Sequence, residues 1–172
     1  RDRIEQEELH APFNESVNRI NVMAWIHTML YQSENISRIA FRQFANQLAR
    51  KLPGLYITSD SVVTVDTDIE DLELEIDTAI PCGLIINELL SNALKYAFPD
   101  SRDGTVRVSL KRDGDHLVLS VSDDGIGLGD TFDYEGGDSL GLSIVRALTQ
   151  QLEGECEIGN DNGASFTIRF PA

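Results

Sequence analysis

Apolar residues recur at three- and four-residue intervals through the first third of the chain, then at every second residue through much of the remainder. Arg1 to Leu9 favours helix and ends before Ala11-Pro12. Asn14 is a suitable N-cap for a helix from about Glu15 to Tyr31, where Val17, Ile20, Met23 or Ala24, His27 and Leu30 or Tyr31 make one stripe. Two helices joined by so short a loop predict an αα-hairpin, a common dimerisation unit. Gln32 to Ala40 reads as a connector. Phe41 to Leu52 reads as a helix with Phe44, Leu48 and Leu52 on one face, stopped by Pro53-Gly54.

The period then changes. Val62 to Val65 and Leu72 to Ile76 are short β-type runs separated by acidic turn residues. A long helix fills about Thr78 to Phe98 and ends at Pro99. Val106 to Lys111 and Leu117 to Val121 alternate around Asp113-Gly114-Asp115, which predicts a hairpin. A glycine-rich stretch leads to a helix from about Ser139 to Leu152, with Leu140, Ile144, Val145, Leu148 and Leu152 facing inward. Glu155 to Gly159 and Ser165 to Phe170 predict a last hairpin. Hairpin-linked strands interrupted by two helices predict an α+β fold, an α/β sandwich whose mixed, largely antiparallel sheet carries its helices on one face.

The 172 residues suffice for one well-buried domain plus an appendage. A formal charge of -15 argues against nucleic acid or an anionic membrane surface as the main partner. No apolar run is long enough to span a bilayer, and no signal-peptide pattern is present. Cys82 and Cys156 lie far apart without metal-ligand spacing, which points to a reduced, cytoplasmic setting. Beginning at Arg1 inside a charged, helix-favouring run, the chain reads as a piece of something longer.

Three stretches carry candidate chemistry. On the helix through Ile86 to Phe98, the apolar stripe is Ile86, Leu89, Leu90, Ala93 and Ala97. Glu88, Asn92, Lys95 and Tyr96 line up roughly opposite, offering oxygens for Mg²⁺, an ammonium for phosphate and a ring for a base. A solvated helix face would look similar. The run into Ser122-Asp123-Asp124-Gly125-Ile126-Gly127-Leu128 places a carboxylate at a strand end beside bare backbone, which suits the exocyclic amine of adenine. It also suits an ordinary Asp-Gly turn. Gly136-Gly137-Asp138-Ser139-Leu140-Gly141-Leu142 opens the next helix, whose unpaired N–H groups receive phosphate readily. Asp138 or Ser139 would equally serve as a plain helix cap. The polar segment from Gly129 to Glu135 would suit a lid.

In this order and spacing, the three stretches resemble the Bergerat ATP-binding fold of histidine kinases, DNA gyrase, and heat-shock chaperone and mismatch-repair ATPases; the resemblance covers about Asp60 to Ala172. It implies that ATP and Mg²⁺ are bound, with Asn92 at the metal and Asp123 at the adenine amine. It further implies Lys95 facing phosphate, Tyr96 near the base, Gly125 and Gly127 as the first glycine box, and Gly137, Leu140, Gly141 and Leu142 as the second. Val17 to Ser33 is similar to the second dimerisation helix of the HWE-like histidine kinase subgroup, as is Asn87 to Phe98, with Glu88 where most histidine kinases carry Asn. The whole chain thus resembles the end of a sensor histidine kinase core, divided into a partial dimerisation hairpin over 1–38 and a catalytic domain over 39–172. That implies a homodimer through the N-terminal helices and a response regulator receiver domain as the final phosphoryl acceptor.

Two departures qualify the carry-over. The family often places a Thr after the last glycine box, whereas Gly163-Ala164-Ser165-Phe166 puts Ala there, so that either Ser165 substitutes or the contact is lost. Glu88 also matches the water-activating Glu of the chaperone and gyrase ATPases; in a kinase it would order a metal-bound water or accept the proton of the nucleophile. None of His10, His27 and His116 stands in an acceptor motif, so the phosphorylated histidine is expected upstream of Arg1. The alternatives are another Bergerat ATPase, a serine-directed anti-sigma-type kinase, or a pseudokinase binding module.

Overall fold

The computed structural model describes residues 17, 20–28, 38–56, 62–129, 132–134, 139–160 and 162–172. In chain order these form α1 (20–28), β1 (Arg38–Ala40), α2 (Phe41–Lys51), α3 (Pro53–Tyr56), β2 (Val63–Ile69), β3 (Glu73–Glu75), α4 (Ile76–Tyr96), β4 (Gly104–Asp113), β5 (His116–Asp123), α5 (Leu140–Gln151), β6 (Glu155–Gly159) and β7 (Ser165–Pro171). A five-stranded sheet runs β2-β4-β5-β7-β6, parallel between β2 and β4 and antiparallel elsewhere. This is the α+β sandwich that the patterning predicts.

Alternation decides which face meets the helices. Val106, Val108 and Leu110 of β4, Leu117, Leu119 and Val121 of β5, and Phe166, Ile168 and Phe170 of β7 are all buried. In register between them on the other face stand Ser109, Ser120 and Thr167, with Ser120 and Thr167 sharing a hydrogen bond of 3.3 Å. A one-residue slip would exchange the two faces, so burial fixes the register. Ile85, Ile86, Leu89, Leu90 and Ala93 bring α4 onto the apolar face. Close approach of α2 needs Gly83, where an added Cβ would sit 2.5 Å from the Phe44 ring.

Two expectations are corrected. The run near Leu72 to Ile76 yields only β3, which pairs with β1 outside the main sheet, Ile39 opposite Leu74; alternation does not say which strand will be the partner. As expected, α2 stops just before Pro53, which opens the separate short α3, its fixed φ and missing N–H being suited to a first turn. On α1, Val22 and Ile26 dock into the core, while Ile20 is 64% exposed and Val17, Ala24 and His27 are also exposed. With Trp25 flanked by Lys51 at 4.2 Å, the helix is apolar on more than one side, and tertiary packing selects a face that its period alone does not. No helix among the described residues is long and apolar enough to cross a membrane.

Candidate functional site

A cavity of about 360 Å³ opens between α4, the ends of β5 and β7, and the start of α5. From α4 come Leu89, Asn92, Ala93 and Tyr96; from the sheet come Val121, Asp123, Ala164 and Phe166. The loop Gly127–Gly129 and Phe132 form a further wall, and Ser139 and Leu142 bring in α5. The lining is mainly apolar with a few convergent polar groups, the usual character of a small-molecule site.

Asp123 is the half-buried carboxylate at the end of β5. Its Oδ1 accepts the Gly125 N–H at 2.9 Å and the Ala164 N–H at 3.2 Å. Burial pushes its pKa above the usual carboxylate range, although those two N–H groups pull the other way. An ionised carboxylate here is therefore an under-solvated acceptor, suited to a ligand N–H. Asp124, next in sequence, does something else: its Oδ1 accepts the Thr105 N–H at 2.7 Å, and its carbonyl accepts Arg102 at 2.9 Å. It ties β5 to β4 and does not line the cavity.

The glycines have distinct reasons. A Cβ on Gly125 would stand 2.3 Å from the Ala97 carbonyl, so this residue lets the loop lie against the end of α4. Gly127 has φ +75° and Gly163 φ +119°, both in the region that side chains disfavour. A Cβ on Gly163 would fall 1.9 Å from the Asp123 carbonyl oxygen.

Of the polar quartet on α4, the structure brings only Asn92 and Tyr96 to the cavity, Tyr96 at its mouth with 62% exposure. Glu88 is corrected: it is 1% exposed, with Asn87 Nδ2 donating to its Oε1 at 3.2 Å, and it does not line the cavity. Both faces of α4 are covered here, so polarity did not mean exposure. Lys95 lies with its ammonium 4.9 Å from the Tyr56 ring centroid rather than on the cavity wall. Leu140 is 58% exposed rather than inward; Gly141 and Leu142 are buried, and Leu142 reaches the cavity. Ser165 pairs in β7 opposite Ser122 and Gly159, and its neighbour Ala164 lines the site in its place. Gly136, Gly137, Asp138 and His10 lie outside the described residues.

Ser139 makes no side-chain cap hydrogen bond, so the first N–H groups of α5 are not spent on it. No acidic residue stands in that first turn. The positive end of α5 thus reaches the cavity beside Ser139 and suits an anion. Among the described residues there is no group of three His, Cys, Asp or Glu side chains that could hold a metal. One carboxamide, Asn92, fits a Mg²⁺ that takes few protein ligands and fills its shell with water and phosphate oxygens.

Three contributors, Phe132, Tyr134 and Asn160, escaped sequence reasoning. Phe132 meets Phe166 edge-on at 6.1 Å, and Tyr134 lies 6.5 Å from the same ring. Asn160 binds the Leu128 backbone, and Gly163 lets β7 close on Asp123. Gly163 was legible as the glycine of the last box, whereas the other three left no readable signal.

The model of the histidine kinase-, DNA gyrase B- and HSP90-like ATPase family matches residues 78–172, and a histidine kinase family model matches residues 1–56. The sensor histidine kinase PdtaS of Mycobacterium tuberculosis is 32% identical over 167 residues, covering 91% of this chain and 32% of that protein. Blue-light-activated histidine kinase 2 of Erythrobacter litoralis is 33% identical over 114 residues, covering 66% of this chain and 32% of that protein. The structure of the Erythrobacter litoralis EL346 blue-light activated histidine kinase superposes with a TM-score of 0.80 at 26% identity, covering 94% of this chain and 49% of that one. The chain spans about a third of the length of these curated relatives.

Proposed function

This chain belongs to the histidine kinase-, DNA gyrase B- and HSP90-like ATPase family, and from that premise we propose that it is the ATP-binding catalytic portion of a cytoplasmic sensor histidine kinase. In this reading the γ-phosphoryl group passes to a histidine upstream of Arg1 and then to a response regulator receiver domain. One observation carries it: Asp123, Asn92 and the start of α5, where Ser139 makes no side-chain cap, share a single cavity.

Each group has a role set by its surroundings. The Asp123 carboxylate accepts the adenine amine, and its raised pKa reflects the water it lacks. Asn92 is the residue that would hold Mg²⁺, whose charge offsets that of the phosphates when bound. The N–H groups opening α5, with Gly141 behind them, receive the phosphates. Leu89, Val121 and Phe166 supply apolar surface for the base. Exposed Val17, and Ile20 at the start of α1, supply apolar surface for a homodimer through the N-terminal helices, over the 1–38 segment.

Incubation with radiolabelled ATP and Mg²⁺ tests this reading. Acid-labile label is expected on a longer chain that includes the upstream helix, and none on the 172-residue chain alone. Acid-stable label, or free phosphate without protein label, would contradict it.

A further inference from the structure

The wall made by Gly127, Leu128 and Gly129 is held by one side chain from another part of the molecule. Asn160 follows β6. Its Oδ1 accepts the Leu128 N–H at 2.6 Å, and its Nδ2 donates to the Leu128 carbonyl at 3.0 Å. The carboxamide so imitates a neighbouring strand, pairing with both backbone groups of a single residue. Gly127 is fitted to this contact, since a Cβ there would stand 2.4 Å from Asn160 Oδ1. Within a few residues, the Asp123 N–H donates to the Ala164 carbonyl and the Ala164 N–H donates to the Asp123 carboxylate. The turn between β6 and β7 therefore grips the loop near both ends.

Three of the five residues from Gly125 to Gly129 are glycine, so this stretch has much conformational freedom to lose. The Asn160 side chain does not line the cavity. We propose that Asn160 is a positioning residue for the nucleotide: by fixing Leu128 it sets the wall that faces the base, and so the affinity for adenine nucleotides, without touching the ligand. The inference rests on reading the cavity as a nucleotide site. Its logic is preorganisation: a wall already in place loses less entropy when the ligand arrives. Asn160 is exposed, so water replaces its bonds readily in a variant and global stability changes little.

The test uses the 172-residue chain with Asn160→Ala, the isosteric Asn160→Asp, Gly127→Ala and the double variant Asn160→Ala/Gly127→Ala. Asn160→Asp keeps an acceptor for the Leu128 N–H but turns an oxygen toward the Leu128 carbonyl in place of the donor. ADP affinity is read by calorimetry, global stability by thermal unfolding, and the clamp itself by hydrogen exchange at the Leu128 amide. Both Asn160 variants are expected to weaken ADP by roughly five- to tenfold and to speed Leu128 exchange, with Tm moving by no more than about 2 °C. Gly127→Ala should weaken ADP more in the wild-type background than in the Asn160→Ala background, because its steric conflict is with Asn160. Wild-type affinity in both Asn160 variants overturns the proposal, as does unchanged Leu128 exchange. A large Tm loss with no change in affinity for the folded protein also overturns it, marking Asn160 as structural only. If the wild-type chain binds no ADP, the nucleotide reading fails and this role with it; faster Leu128 exchange in the variants would then identify the clamp as real but unrelated to nucleotide.

Discussion

At the β5 end of the cavity the chain is held by directed hydrogen bonds, whereas at the α5 end it is held mainly by ring contacts. Asp123 meets Ala164 through its N–H as well as its carboxylate, and the Ile126 N–H reaches the Ala97 carbonyl at 3.0 Å. Hydrogen bonds of this kind fix position and direction together. Across the cavity, Phe132 and Tyr134 rest on the Phe166 ring, and Arg146 donates to the Tyr134 carbonyl while lying 5.5 Å from its ring. Ring contacts hold an average separation and tolerate sliding. In the proposed nucleotide reading, base recognition is built in advance, while the phosphate end takes its final form from the charge it receives.

The largest expected effect comes from spoiling the prebuilt end. Gly163→Ala puts a methyl group 1.9 Å from the Asp123 carbonyl at φ +119°. It should destabilise the fold by about 3 kcal/mol and remove measurable ADP binding, read by denaturant unfolding and calorimetry. Asn92→Ala comes next, acting at the charged end alone. It should weaken Mg²⁺-dependent ATP binding by roughly tenfold and leave metal-free adenosine unaffected, since adenosine has no phosphates for an ion to bridge. Equal loss for both ligands would erase the distinction between the two ends.

Smaller effects sharpen the contrast. Phe132→Ala removes one sliding contact and should weaken ADP by about threefold, with Asp123 and its bonds undisturbed; adenosine and ADP titrations side by side check this. The pH dependence is smaller still. Because burial raises the folded-state pKa of Asp123, folding favours its protonated form, and that favourable contribution is lost as pH rises through the raised value. Above that window Asp123→Asn should be slightly more stable than wild type, and the advantage should vanish at pH values below the ordinary carboxylate range. Nucleotide affinity should run the other way, falling as acid protonates Asp123. Denaturant unfolding across pH checks the sign.

The strands of the sheet and both long helices were legible because each shows one clean period, and Asp123, Gly125 and Gly127 because strand, carboxylate and glycine fall in a fixed order. Glu88 misled because α4 is covered on more than one side, so a polar residue there is enclosed rather than outward. Lys95 misled because a long flexible side chain settles on whatever ring lies nearby, here Tyr56. Asn160, Phe132 and Ala164 reach the site from separate parts of the chain, and only tertiary closure brings them to it. The docked face of α1 belongs with these, since a helix apolar on two sides leaves the choice to its neighbours.

The central claim is that the cavity binds an adenine nucleotide through the carboxylate at the end of β5, and two adjacent residues allow it to be tested directly. Asp123→Asn retains an oxygen for the Gly125 and Ala164 N–H groups but turns an acceptor for the adenine amine into a donor or a neutral oxygen. Asp124→Asn alters the tie to Thr105 outside the cavity. Calorimetric titration of wild type and the two variants with ADP should show roughly 10- to 100-fold weakening for Asp123→Asn and less than about threefold for Asp124→Asn. Equal loss in the two variants, or undiminished binding in Asp123→Asn, would contradict the account.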